Sequence, residues 1–82
     1  MRNAPALVLY SRASCHLCEE AAATLAALRA RHPHRLEIVD ITRDPVLFER
    51  YRQSIPVLVV DGREYAAPLT KSVLERALLE AR

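Results

Sequence analysis

The chain has 82 residues, of which 51% are hydrophobic and 27% charged, and its formal net charge is +2. That length allows one small domain, near the size at which a single apolar core just suffices to hold a fold, and the composition is that of a globular protein rather than a disordered or fibrous one. The arginines alternate with acids instead of forming a block, so solvated helix faces are expected and nucleic-acid binding is not.

The N-terminus offers Arg2 and an apolar run, Ala4 to Tyr10, interrupted by Pro5. It is too short for a signal peptide or a membrane span, so a cytoplasmic, monomeric protein without membrane contacts is expected. Ala6 to Tyr10 reads as the first strand. Ser11-Arg12-Ala13-Ser14 is then the loop leading to a helix, with Ser14 as its N-cap. Cys18, Ala21, Ala22, Leu25 and Leu28 recur at helical spacing, and the helix is expected to run to about Arg31. Glu19 and Glu20 early in it and Arg29 and Arg31 late in it complement the helix dipole, and Pro33 prevents continuation. His32-Pro33-His34 reads as a solvated turn.

The only two cysteines, Cys15 and Cys18, lie where the strand pattern gives way to the helix pattern. Unpaired N–H groups and the positive end of the helix dipole favour an anion there, which makes Cys15 the expected nucleophile. Cys18, one turn later on the same face, is the expected resolving thiol. Half a zinc site and two incidental thiols are the competing readings. Zinc needs four ligands in a structural site, no second cysteine pair exists, and His32 and His34 fall roughly 24 Å away at about 1.5 Å per helical residue. No metal is therefore expected. A dithiol that cycles with its disulfide suits a reducing compartment better than a permanent bridge.

Leu36 to Ile41 is the second strand, with Leu36 and Ile38 on one face and Val39 and Ile41 on the other. Strand, helix, strand implies a parallel pair with a right-handed crossover. Asp44 caps a short helix that opens with Pro45 and runs to Tyr51, burying Leu47, Phe48 and Tyr51. Val57 to Val60 is the third strand, apolar enough to be central. Asp61-Gly62 signals a hairpin into a fourth strand, Arg63 to Ala66. Thr70 caps the last helix, in which Leu69 and Leu74 have staple spacing and Val73, Leu74, Ala77, Leu78 and Ala81 form the buried stripe.

The order β-α-β-α-β-β-α, with C-x-x-C after the first strand and Ile55-Pro56 before the third, resembles the thioredoxin fold in its minimal glutaredoxin form. The likeness is closest to small bacterial glutaredoxin-like proteins, through Leu9-Tyr10-Ser11-Arg12, Cys15-His16-Leu17-Cys18-Glu19 and Tyr51 through Ile55-Pro56 to Asp61-Gly62. It implies an α/β fold with a four-stranded mixed sheet and helices on both faces. It also implies that Cys15 is the nucleophile, Cys18 the resolving cysteine, Arg12 the basic residue before the pair and Pro56 a cis-proline. A cis bond there would turn the Ile55 backbone outwards, leaving its N–H and C=O to pair with an extended substrate. Glutathione users of the family usually carry Pro-Tyr between the cysteines and a Gly-Gly turn near the last helix. Here the dipeptide is His16-Leu17, and Tyr65 to Thr70 contains no glycine, although Thr70 still offers a hydroxyl and a helix N-terminus to a carboxylate.

The expected function is thiol-disulfide exchange on a protein disulfide or a glutathione mixed disulfide, with glutathione or thioredoxin reductase restoring the dithiol. No resident cofactor is expected, and glutathione enters as a co-substrate. Arg12 and His16 are expected to stabilise the Cys15 thiolate, the imidazolium by direct attraction if its ring reaches the sulfur. Two other readings stand beside this one. In the first, Cys15 joins an added thiol in holding an iron-sulfur cluster; in the second, the fold is a redox-silent adaptor.

Overall fold

In the computed structural model, which describes residues 4–81, the sheet is arranged around β1 (Ala6–Ser11). Arg2, in the N-terminal stretch considered above, lies outside the described residues. β1 pairs in parallel with β2 (Arg35–Asp40) and antiparallel with β3 (Val57–Val60), and β3 continues into β4 (Arg63–Ala66), giving the order β2-β1-β3-β4. The two central strands thus stand next to each other, and both are the most continuously apolar stretches of the chain. The β3–β4 turn is Asp61-Gly62, with φ of 51° and 78°. Positive φ at both central residues is what a two-residue hairpin matching the strand twist requires.

Register decides the two faces. Leu7 lies opposite Val60 and Leu9 opposite Leu58, and all four point to one side, where they meet Ala21, Leu25 and Leu28 of α1 (His16–Leu28) and Leu74, Ala77 and Leu78 of α3 (Lys71–Glu80). Tyr10 lies opposite Val57 on the other side, under α2 (Pro45–Tyr51). There Ile41, Tyr51 and Val57 are buried, with Leu47, Phe48, Ile55 and Val59 packed around them. The protein is therefore an α/β fold with a four-stranded mixed sheet and helices on both faces. Three helix starts are fixed locally. Asp44 accepts from the Val46 and Leu47 amides, Thr70 accepts from the Val73 amide, and Asp40 caps a short 3-10 helix, Ile41–Arg43. That last cap ends β2 one residue earlier than expected, and Ile41 enters the second core instead of the strand.

Two expectations about the end of α1 are corrected. The helix stops at Leu28, with the amides of Arg31 and His32 both folding back to the Leu28 carbonyl, so Arg29 and Arg31 follow the helix and its last turn carries no base. His32-Pro33-His34 is not a solvated turn: His34 is 4% exposed and its Nδ1 donates to the His32 carbonyl at 2.7 Å. That short bond closes the turn and turns the ring inward, while His32 Nε2 reaches Glu75 of α3 at 3.3 Å and Arg29 Nε donates to the His34 carbonyl. The His34 Nε2 is buried without a partner.

On the α2 side, Tyr10 and Tyr51 stack with centroids 4.5 Å apart, and the Tyr51 hydroxyl donates to Glu64 of β4 at 2.6 Å. Acceptance by the Glu64 carboxylate, helped by burial, pushes the Tyr51 phenol above its ordinary value of 10.0. A raised pKa means that the stabilisation is complete below the ordinary value and is lost as pH climbs through the higher folded one. Urea unfolding between pH 8 and 11 should therefore show an alkaline loss of stability that Tyr51→Phe diminishes. On the other face, Leu25→Ala removes a side chain with no exposure and should cost about 2–5 kcal/mol at neutral pH by the same measurement.

Candidate active site

The site is built at the junction of β1 and α1. Ser14 takes a left-handed conformation, φ 60°, which reverses the chain after the strand. Cys15 is then extended (φ −106°, ψ 102°), and its Sγ accepts the Cys18 N–H at 3.2 Å. The helix cap is thus Cys15 and not, as expected, Ser14. The reason is positional: the residue whose side chain faces the first free amides is the last extended one, and Ser14 has already turned away. Cys15 and Cys18 stand at disulfide distance, with Cα atoms 5.2 Å apart. Their environments differ. Cys18 is 2% exposed, on the buried face of α1 with Ala21 and Leu25, whereas Cys15 is half-buried.

The other expected site residues divide into three groups. Pro56 is buried, and it shares a cleft of about 240 Å³ with Leu17, Glu20 and Thr24 of α1 and with Ala67 to Lys71, Thr70 included. Pro56 and Thr70, some fourteen residues apart in sequence, are thereby brought to one wall beside the cysteine-bearing helix. The Ile55–Pro56 peptide bond is cis, and so is Ala67–Pro68 in the same wall. Ile55 lies at the second core, and its N–H donates to the Tyr51 carbonyl at 3.1 Å. That corrects the expectation that both of its backbone groups are free for a substrate: the turn closing α2 uses the amide.

His16 and Arg12 are engaged elsewhere. His16, 81% exposed in its side chain, places Nε2 2.8 Å from Glu20 Oε2, one turn along α1. Arg12 is exposed and its charge acts on Asp40, across the β1–β2 pair from Ser11. The Asp40 carboxylate accepts both the Thr42 hydroxyl at 2.6 Å and the Thr42 amide at 2.9 Å, and these bonds, followed by Arg43 and Arg12, hold its carboxyl below the ordinary range. The nearest identified donor to Cys15 Sγ is therefore the Cys18 amide. Leu17, 58% exposed on the cleft wall, and Lys71 were not singled out from sequence, where an apolar residue between two cysteines and a lysine after a cap carry no signal of their own. Among the described residues no three His, Cys, Asp or Glu side chains are grouped so as to hold a metal ion. No helix among them is long and apolar enough to cross a membrane.

Comparison with known proteins places this geometry. The family model described as Glutaredoxin-like domain (DUF836) matches residues 6–82. A search of curated proteins gives no match. Among solved structures, the X-ray structure of the structural-genomics target protein XcR50 from X. campestris is 36% identical, covering 93% of this chain and 99% of its own, with a TM-score of 0.77. The solution NMR structure of protein Ne2328 from Nitrosomonas europaea is 30% identical over 93% of both chains, with a TM-score of 0.79. Oxidised mitochondrial thioredoxin 3 from Saccharomyces cerevisiae is 18% identical, covering 96% of this chain and 80% of its own, with a TM-score of 0.69, and shows the shared fold.

The order of effects on Asp40 is testable by following its carboxyl by NMR during acid titration. Thr42→Val removes the largest contribution and should raise the Asp40 pKa more than Arg12→Gln does. Because a lowered carboxyl pKa adds stability above the ordinary value and loses it as pH falls through the folded one, Thr42→Val should also flatten the acid limb of the stability curve.

Proposed function

The chain belongs to the glutaredoxin-like domain (DUF836) family, and from that premise we propose that it is a thiol-disulfide oxidoreductase. The observation that carries the reading is the unlike pair of sulfurs: an accessible Cys15 capping α1, and a buried Cys18 within bonding reach of it. In the reduced protein the Cys15 thiolate attacks one sulfur of a substrate disulfide. That S–S bond breaks, a mixed disulfide forms, and the leaving thiolate takes up a proton. Cys18, deprotonated, then attacks Cys15 Sγ, closing the intramolecular disulfide and releasing the second substrate thiol. The substrate gains two electrons and the Cys15/Cys18 pair loses two. A thiol reductant restores the dithiol in two attacks: one thiolate attacks Cys15 Sγ and frees Cys18, and a second thiol, another glutathione or the second cysteine of a reductase dithiol, then releases Cys15 as the reductant leaves as its own disulfide.

The Cys18 N–H is the group that stabilises the thiolate, by a hydrogen bond to a charged acceptor in the first turn of a helix whose dipole has the same sign of effect. Arg12 adds positive potential at longer range. His16 adds a charge when protonated, although its bond to Glu20 competes for the ring. The cleft bounded by Leu17, Pro56 and Thr70 is where the substrate chain lies, with the Ile55 carbonyl and the Thr70 end of α3 as polar contacts. Glutathione fits the same place through a carboxylate at Thr70. Substrate, reductant and cytoplasmic location belong to the same proposal.

The test is asymmetric substitution. Cys15→Ser should abolish exchange with a model disulfide, while Cys18→Ser should accumulate a mixed disulfide visible by mass spectrometry. Equal alkylation of both thiols in the reduced wild type near neutral pH would count against the assignment. His16→Ala, if its charge reaches the sulfur, should raise the Cys15 pKa and make the potential more negative, by about 20 mV per kcal/mol of lost thiolate stabilisation. A pKa and potential equal to wild type would leave the Cys18 amide as the principal source.

A further inference from the structure

The cleft beside the cysteines does not end at Thr24. Thr24 and Lys71 also line a second hollow of about 360 Å³, with Ala23, Ala27, Leu28 and Arg31, so the two form one groove along the seam between α1 and α3. The floor of its outer half is made of alanines and Leu28, small and apolar, which lets a peptide backbone approach the helix closely. Its charges are one-sided. Among the described residues Arg31 and Lys71 have no carboxylate partner, whereas Arg50 and Arg63 each have one within 3.4 Å. The acid at the inner end, Glu20, is held by His16. Two unpaired cations over an apolar floor, without aromatic rings for base stacking, suit an acidic peptide better than a nucleic acid.

Resting on the exchange reading above, we infer that the substrate is a protein disulfide whose chain follows this groove, an apolar residue near the cysteine meeting Leu17 and an acidic side chain farther along meeting Arg31 and Lys71. Leu17 to Ala27 spans about 15 Å at 1.5 Å per helical residue, which an extended chain covers in about four or five residues at about 3.3 Å each. The acid therefore stands four or five positions from the reacting cysteine. Selectivity arises from ordinary Coulomb attraction at the far end of the groove, and the sulfur chemistry is unchanged: the substrate S–S is reduced and the Cys15/Cys18 dithiol oxidised.

The experiment uses the full chain, reduced beforehand, and synthetic peptides whose single cysteine is in mixed disulfide with a chromogenic aryl thiol. The peptides carry Glu, Gln or Lys four or five positions from the cysteine, on the N-terminal side in one set and the C-terminal side in another. In at least one set the Glu peptide should react about five- to tenfold faster than the Lys peptide at low ionic strength, the scale expected when two weak exposed ion pairs change sign. At about 1 M salt the ratio should approach unity. Arg31→Glu should reduce or invert the order while leaving the rate with a small uncharged disulfide unchanged, and Arg31→Gln should fall between. Equal rates for Glu and Lys peptides in both sets, or a ratio indifferent to salt and to Arg31, overturn the groove assignment while exchange itself stands. Failure to react with any disulfide, the small one included, overturns both.

Discussion

The hydrogen bond from the Cys18 amide to Cys15 Sγ joins the fold to its chemistry. A helix must satisfy the N–H groups of its first turn, and most helices do so with a hydroxyl or carboxylate oxygen. Here a sulfur does it, and that sulfur is the less buried of the two. Any cap stabilises the helix more as its acceptor becomes more negative, so the folding requirement and the ionisation of the thiol favour each other. The arrangement depends on Ser14 turning left-handed directly after β1, since only then is Cys15 the last extended residue before the helix.

The sheet supplies the rigidity behind this junction. β1 lies between β2 and β3, and its inward residues Leu7 and Leu9 are covered by both long helices. Cys18 belongs to the same buried face of α1 as Leu25, so moving its sulfur means moving the core. Cys15 stands half-buried at the helix start, where its sulfur accepts the Cys18 amide and its carbonyl accepts the Glu19 amide. One sulfur fixed in the core and one half-buried at the helix start follow from the hydrophobic spacing of the helix, and under the proposed exchange this difference suits sequential attack. Pro56 reaches the same region from the start of β3, which is locked by its pairing with β1.

Those parts of the molecule set by local chemistry are legible in the sequence. Asp44 and Thr70 each contain the group that satisfies the amides beside them, and Asp61-Gly62 takes the positive φ its turn needs, so α2, the hairpin and α3 begin where those residues place them. The cysteine pair between a strand and a helix pattern also points to the site directly. What was not legible depends on contacts distant in sequence. The end of α1 is one such case: the helix stops at Leu28 although Arg29 and Arg31 are good helix formers, and the chain turns there towards β2, where the Arg35 amide bonds the Pro5 carbonyl. His34 looks like a loop residue because nothing in its vicinity announces that the turn folds inward.

The groove illustrates the same limit on the functional side. Neither Arg31 nor Lys71 is unusual in its own segment: one follows a helix, the other opens one. They acquire a common environment only because α3 packs on α1, with His32 and Glu75 forming a contact between residues 43 positions apart beside that seam. Isolated cations are poor functional signals, since surface charges are normally solvated and individually weak. Two that have no carboxylate partner among the described residues and share one apolar hollow are different, because the apolar floor excludes part of the water that would otherwise screen them. Under the proposed exchange the reacting end of the groove is chemically general while the far end discriminates among substrates, and the two are separately alterable because Cys15 opens α1 whereas Arg31 follows it and Lys71 opens α3.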